Sequence, residues 1–313
     1  MTELRAPGEK DVTIGAVVPN ASTEALYRRQ LEREVSAMAA SYEHWIALAY
    51  KRTLTAAQQD GRIITPDMAE DARGSPKDTN AALFAELSRL DGYWQTRIKR
   101  FAQKTAKSIA TDWLRDNTVS WQGKLKRKGF TVKLQMTAKQ RTFLQVKITE
   151  NVSLIRSVQQ QYHKNVEGIV SRGFLAGRDL FTIADNIKKQ HDVTVRRAAL
   201  IARDQSNKAT AQLNSIRQNE LGITRATWIH SSAGKEPRHD HMRAGREGWE
   251  FDPTVGIDFG DAFGFVLPGE AINCRCTCRS HIPALKRGGN ANYQLKDLGK
   301  FKGVLEPLPK SSE

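Results

Sequence analysis

Cysteine is scarce in this chain and confined to one place: 3 Cys in 313 residues, all between Cys274 and Cys278. An odd, clustered set makes a poor disulfide framework. It points to a reducing compartment or to a metal, and away from a disulfide-stapled scaffold. Long apolar runs are missing as well. Nothing approaches the roughly 20 residues that a membrane span needs. The opening ten residues lack the apolar core of a signal peptide. The expectation is a protein made and kept in the cytosol, with no membrane contact. Acidic residues are outnumbered, 34 Asp and Glu against 49 Lys and Arg, for a net charge of +15. There is no tandem repeat and no long heptad array.

What is present is ordinary for a globular protein. Hydrophobic residues make up 39% and charged residues 27% of the chain, close to typical folded domains. At roughly 150 residues per domain, the length suggests about two domains. Residues 1–22 are rich in Pro, Gly and charge and read as a flexible arm. Residues 23–172 read as a basic helical region. From residue 286 onward a polar tail with Pro307 and Pro309 again reads as flexible.

Within the helical region the apolar spacing predicts three long helices. The first starts near Thr23-Glu24 and carries Leu26, Leu31, Val35, Met38, Tyr42, Trp45, Leu48 and Ala49. After a loop at 60–79, the second runs from about Asn80 to Arg115, with Leu83, Phe84, Leu87, Leu90, Trp94, Ile98, Phe101, Ile109, Trp113 and Leu114. Gly123 and Gly129 then flank a loop, and the alternation from Phe130 to Met136 suggests a strand. The third helix runs from about Thr137 to Arg172. Beyond a break at 173–177, Thr182-Ile-Ala-Asp185 has the form of a helix N-cap, opening a short helix to Gln190. A further helix from Thr194 to Leu221 ends at Gly222, placed as a C-cap. Residues 223–230 read as a strand, and the rest up to Pro283 as a small loop-rich β unit.

The charge is concentrated. Between Arg97 and Lys147 there are 14 basic residues and 2 acidic ones, Asp112 and Asp116, a local excess of 14 − 2 = 12. Lys124, Lys126, Arg127 and Lys128 are placed in the Gly-flanked loop, where they can reach a nucleic-acid backbone or an acidic protein. Such contact with double-stranded DNA would be sequence-independent and salt-sensitive. The alternative is a solvated helix face. Trp94, Trp113 and Trp121 are read as core anchors rather than base-stacking platforms.

The most specific signal is an ordered set near the C-terminus: Arg203 and Asp204 on a helix, the Gly222 cap, Trp228 on a strand, Arg238 with His241, Gly245, and a closing Asn273-Cys274-Arg275-Cys276. This set, over residues 173–285, resembles the Mu F-like, or head morphogenesis, domain of tailed phages. The sequence departs from the family pattern in its extra His239, its extra Cys278, and Asp204 where Glu is frequent. The resemblance implies a minor capsid protein of the virion, at the head interior or portal vertex, assembled in the host cytoplasm. It further implies portal protein and capsid or scaffolding proteins as partners, and a part in head assembly and DNA packaging or ejection.

Read as chemistry, the same residues suggest a zinc site. Alternate residues of a strand face one way, so Cys274, Cys276 and Cys278 would share a face. With His241, and His239 or Cys278 as the fourth ligand, they match the thiolate and imidazole set that zinc prefers. Two other readings stay open: a structural knot of packed thiols with Arg238 and Arg275 bonded to local carbonyls, and a disulfide formed after virion release. His239-Asp240-His241 also admits a DNA-binding metal-dependent nuclease or processing factor. That reading lacks a second carboxylate cluster, a phosphate-binding Gly loop and a nucleophile elbow. The sequence reading as a whole is an α+β protein, long helices followed by a small loop-rich α+β domain, with an assembly role rather than an enzymatic one.

Overall fold

The computed structural model describes residues 11–59, 76–130, 134, 136–175, 180–232, 236–260 and 264–282. Residues 60–75 of the loop expected at 60–79, most of the expected strand at 130–136, residues 1–10 of the arm and the tail beyond 282 lie outside them, and 76–79, expected in that loop, are helical. The fold is α+β, as expected, with five helices and six short strands among the described residues. No helix among these residues is long and apolar enough to cross a membrane. The chain divides into two units, each drawn from separate stretches of sequence.

The first unit comprises 20–113 and 142–206. It is built from α1 (Ala21–Gln59), most of α2 (Pro76–Arg127), most of α3 (Ala138–Leu175) and the first part of α4 (Leu180–Glu220). Asn20 starts α1, three residues before the expected position. Its Oδ1 accepts the backbone N–H groups of Ser22 and Thr23 at 2.9 and 3.4 Å, satisfying donors that a helix start leaves open. The buried stripe of α1 is Tyr27, Leu31, Val35, Met38, Tyr42, Ile46 and Ala49. Leu26 and Trp45, expected on that stripe, are 40% and 36% exposed. The stripe steps by three or four residues throughout, and Trp45 falls one position off it. There the Arg89 guanidinium stacks over its ring at 4.8 Å.

Two of the buried tyrosines have hydroxyls that find partners. Tyr27 donates to Asn151 Oδ1 at 2.8 Å, and Tyr42 Oη lies 3.0 Å from His163 Nδ1. Trp113 Nε1 donates to Ser206 Oγ at 3.2 Å. Trp94, Trp113 and Trp121 are all buried, which supports their reading as core anchors. Arg97 is held by Glu34 at 2.5 and 3.2 Å, and buried Lys147 by Glu150 at 2.7 Å. Two of the 14 basic residues counted above are thereby committed to internal pairs.

Leu180–Glu220 is one helix, not two. Thr182 lies inside it, so the expected N-cap is not one. Ile183, Ile187, Thr194, Ala198, Ile201 and Ala202 form a continuous buried stripe through the expected break. Burial of that stripe outweighs the local capping preference. The Thr194 hydroxyl is satisfied within the helix, on the carbonyl of Gln190 at 2.8 Å.

The second unit takes in 11–19, 114–141 and 207–282 of the described residues. Its main sheet has the order β1-β6-β2-β3: β1 (Val12–Ile14), β6 (Thr277–Ile282), β2 (Arg225–Ile229) and β3 (Glu250–Phe251). All neighbours are antiparallel. β4 (Ile257–Asp258) and β5 (Phe265–Val266) form a separate pair. α5 (His239–Glu247) lies between β2 and β3 in the chain. Residues 12–14, in the segment read as an arm, are thus a strand, bonded to the far end of the sequence. His281 in β6 contacts both neighbours, with Thr227 Oγ1 2.6 Å from Nε2 and Thr13 Oγ1 3.4 Å from Nδ1.

The expected loop at 119–129 is helical through Arg127. Trp121 and Leu125, one turn apart, are both buried with Ile14, Val17, Leu221, Ile223 and Ile282, and their packing carries the helix past Gly123. Lys124, Lys126 and Arg127 therefore occupy its last turn, where positive charge meets the negative end of the helix dipole. Lys128 follows in a turn. α4 ends as expected: Gly222 has φ +67° and its N–H bonds the Asn219 carbonyl at 3.1 Å.

One buried amide joins three segments of this unit. Asn214 Oδ1 accepts from Asn117 Nδ2 at 2.8 Å and from Trp121 Nε1 at 3.0 Å, while its Nδ2 donates to the Val17 carbonyl at 3.0 Å. Replacement by alanine strands two buried donors and one acceptor. We expect Asn214→Ala to cost about 2–4 kcal/mol, from roughly 1–3 kcal/mol for each stranded buried group with partial relaxation. Urea unfolding of the variant against the parent measures this, and a loss under about 0.5 kcal/mol would contradict the hub role.

Candidate functional site

The site grows from the pairing of β2 with β6. Trp228 of β2 stands opposite Cys278 of β6. Its indole is buried, with Phe251, Phe259 and the His241 ring edge-on at centroid distances of 6.0, 5.2 and 5.0 Å. His241 sits in the first turn of α5, buried between Trp228 and Phe259, the latter ring at 4.7 Å.

α5 can approach β2 only because residue 245 is glycine. A Cβ there would lie 2.5 Å from His230 Cβ and 2.7 Å from its backbone nitrogen. The helix then closes on Gly248, φ +64°, and the Trp249 carbonyl accepts the Trp228 N–H at 2.8 Å. Gly245 in the motif is thus a packing requirement.

The second half of the site is the turn before β6. Cys274 N–H bonds the Ala271 carbonyl at 2.9 Å. Asn273 takes the left-handed conformation, φ +59°, which asparagine tolerates better than most residues. Arg238, at the N-cap of α5, donates from Nη2 to the Ile272 carbonyl at 3.0 Å. Glu270 anchors the start of the turn by accepting from Gln212 Nε2 at 2.9 Å and from the Leu267 N–H at 3.1 Å.

These two pieces bring together His241, Cys274 and Cys276. Cys274 Sγ is 3.5 Å and Cys276 Sγ 3.8 Å from His241 Nδ1. All three ligand atoms lie within 4.8 Å of one another, and all three residues are buried. The Cys276 thiol bonds to the Cys274 sulfur, and the His241 ring lies alongside. Both effects hold the Cys274 thiol well below its ordinary value, although burial opposes them. The same contact, with burial, pushes Cys276 up.

The other motif residues divide clearly. Cys278 does not join the trio. Its sulfur accepts from Gln218 Nε2 at 3.4 Å, and burial raises its thiol to about 11. The expected common face fails because Cys274 lies in a turn ahead of β6, where strand alternation does not apply. His239 and Asp240 are exposed at the start of α5. The ligand cluster contains no carboxylate among the described residues. Arg275 is half-buried next to the cysteines. Arg203 and Asp204 are half-buried on α4 within the helical unit. His230 receives the Ser232 N–H at 3.2 Å. Sequence reading missed Phe251, Phe259 and Gln218. The aromatic richness of the segment hinted at the first two; nothing local marked Gln218, which also bonds Ser280 Oγ at 2.8 Å.

Buried His241, Cys274 and Cys276 thus close a small sheet, with Arg238 reaching the Cys turn from the surface. Residues 164–279 match the family described as phage Mu protein F like protein, a stretch that holds α4, α5 and the Cys turn. An uncharacterised protein of Haemophilus influenzae (strain Rd) is 33% identical over 138 residues, 43% of this chain. The match spans 28% of that relative's own length. No solved structure matches the chain at a significant level.

The close approach at residue 245 yields a direct test. Gly245→Ala should destabilise the protein by about 1–3 kcal/mol, the range for overpacking a tight contact. Thermal unfolding checks it, with Gly92→Ala, in open space on α2, as the neutral or mildly stabilising control.

Proposed function

We propose that this protein is a minor capsid protein of a tailed bacteriophage, associated with the portal and acting in head assembly and in DNA packaging or ejection. The observation that carries the reading is the Mu F-like match over residues 164–279, a family of phage head morphogenesis proteins. The role is that of an assembly component, acting with portal, capsid or scaffolding proteins in the host cytoplasm and retained in the virion.

The basic half supports placement beside DNA. Lys99, Arg100, Lys104 and Lys107 are exposed along α2, and Lys126, Arg127 and Lys128 are exposed at its end. Lys124 is half-buried, and its pKa is lowered by that burial and by the nearby Arg127 charge. A row of fixed cations on helix turns suits phosphate neutralisation without base reading.

Two measurements test the reading. A mass-spectrometric inventory of intact virions and assembly intermediates should find the protein in both; absence from both defeats the proposal. For DNA, duplex binding should weaken steeply with salt. Replacing Lys126, Arg127 and Lys128 together by Gln should lower the salt slope by up to about 3, at roughly 0.9 for each phosphate no longer neutralised. An unchanged slope would remove this helix end from the DNA-binding surface.

A further inference from the structure

We propose that His241, Cys274 and Cys276 bind one zinc ion, with Nδ1 and two thiolate sulfurs as its protein ligands and solvent in the fourth position. The inference does not depend on the head-protein reading. Zinc takes thiolate at about 2.3 Å and imidazole nitrogen at about 2.0–2.1 Å, tetrahedrally, so a bound S and N stand about 3.6 Å apart. The two sulfur–nitrogen distances here are 3.5 and 3.8 Å. Both sulfur–nitrogen pairs therefore already stand at the spacing that a single tetrahedral ion would impose, and the three atoms lie within 4.8 Å of one another.

The Trp228 indole packs edge-on to the His241 ring at 5.0 Å, in the same buried cluster as both cysteines. Trp228 Nε1 is buried with no hydrogen-bond partner of its own. A buried N–H without a partner is costly beside a neutral thiol and well used beside a metal thiolate. The ligands also come from two rigid supports. α5 is seated by Gly245 and by Arg238, whose bond to the Ile272 carbonyl ties it to the Cys turn. An ion here clips the helix to the turn across the 33 positions from 241 to 274 (274 − 241 = 33), so its binding adds to folding stability. No fourth His, Cys, Asp or Glu joins the cluster among the described residues. Cys278 is occupied with Gln218, and His239 is exposed.

The full chain, purified under a phosphine reductant and reconstituted with zinc, should hold one metal per chain by elemental analysis. Cobalt substituted for zinc should give thiolate charge-transfer bands and the visible bands of a tetrahedral ion. Cys274→Ser, Cys276→Ser and His241→Ala should each weaken metal binding by at least about tenfold, while Cys278→Ser and His239→Ala leave it unchanged. Where the His241→Ala chain fails to fold, His241→Cys serves in its place and should keep the metal with a cobalt spectrum shifted toward three sulfurs. Absence of stoichiometric metal after reconstitution overturns the proposal, as does equal loss in the Cys278 or His239 variants. A Cys274–Cys276 disulfide persisting under reductant also overturns it.

Discussion

The α+β unit depends on the register of β6. This one strand pairs with β1 on one side and β2 on the other, so it carries the bonds that bring the start of the described chain to its end. The register puts Cys278, Ser280 and Ile282 on one face, where Gln218 of α4 bonds the first two and Ile282 enters a core with Ile14 and Trp121. Thr277, Arg279 and His281 take the other face. A slip of one residue would exchange the faces. It would put Arg279 into the Ile14–Trp121 core, withdraw the His281 ring from Thr13 and Thr227, and pull the Cys turn away from α5. The position of Cys274 and Cys276 against His241 is therefore a consequence of strand register, fixed by interactions several residues away.

The same dependence explains what could be read from the sequence and what could not. Helices with an apolar stripe were legible in type because period 3.6 is a local property. Their exact stripe was less so: at Trp45 a large aromatic one position off the line invites inclusion, and only the partners of Tyr27 and Ile46 decide otherwise. Helix ends were legible where one residue dictates them, as at Gly222. They were misread where burial overrides local chemistry, as at Thr182 and Gly123. β1 was invisible because three residues of a strand have no periodicity of their own; Val12-Thr-Ile14 becomes a strand only through β6.

At the site, sequence order identifies a Cys and His set but cannot choose its members. Spacing alone puts Cys278 with Cys274 and Cys276. The left-handed turn at Asn273 breaks that alternation, and Gln218, 60 residues away in the chain, takes the third sulfur. Arg238 and Gly245 stand out in the sequence as motif residues without a mechanism. In the fold one bonds the carbonyl at the Cys turn and the other admits His230, so both exist to hold α5 against the sheet.

This bears on where function resides in the chain. Several motif residues point inward: Trp228, His241, Cys274 and Cys276 are buried, and Gly245 is closed off by His230, whereas Arg238 and Asn273 are exposed. Residues whose side chains are consumed in this way maintain a shape and offer little to a substrate or partner. Exposed basic side chains occur inside residues 164–279 as well, as at Lys188, Lys189, Arg243 and Arg246, and others lie along α2 outside that stretch. Such a division between buried motif residues and exposed charge suits a protein whose buried set holds a stable module and whose contacts are set by the exposed remainder. A buried set of this kind tolerates few substitutions, whereas exposed lysines and arginines need keep only their charge.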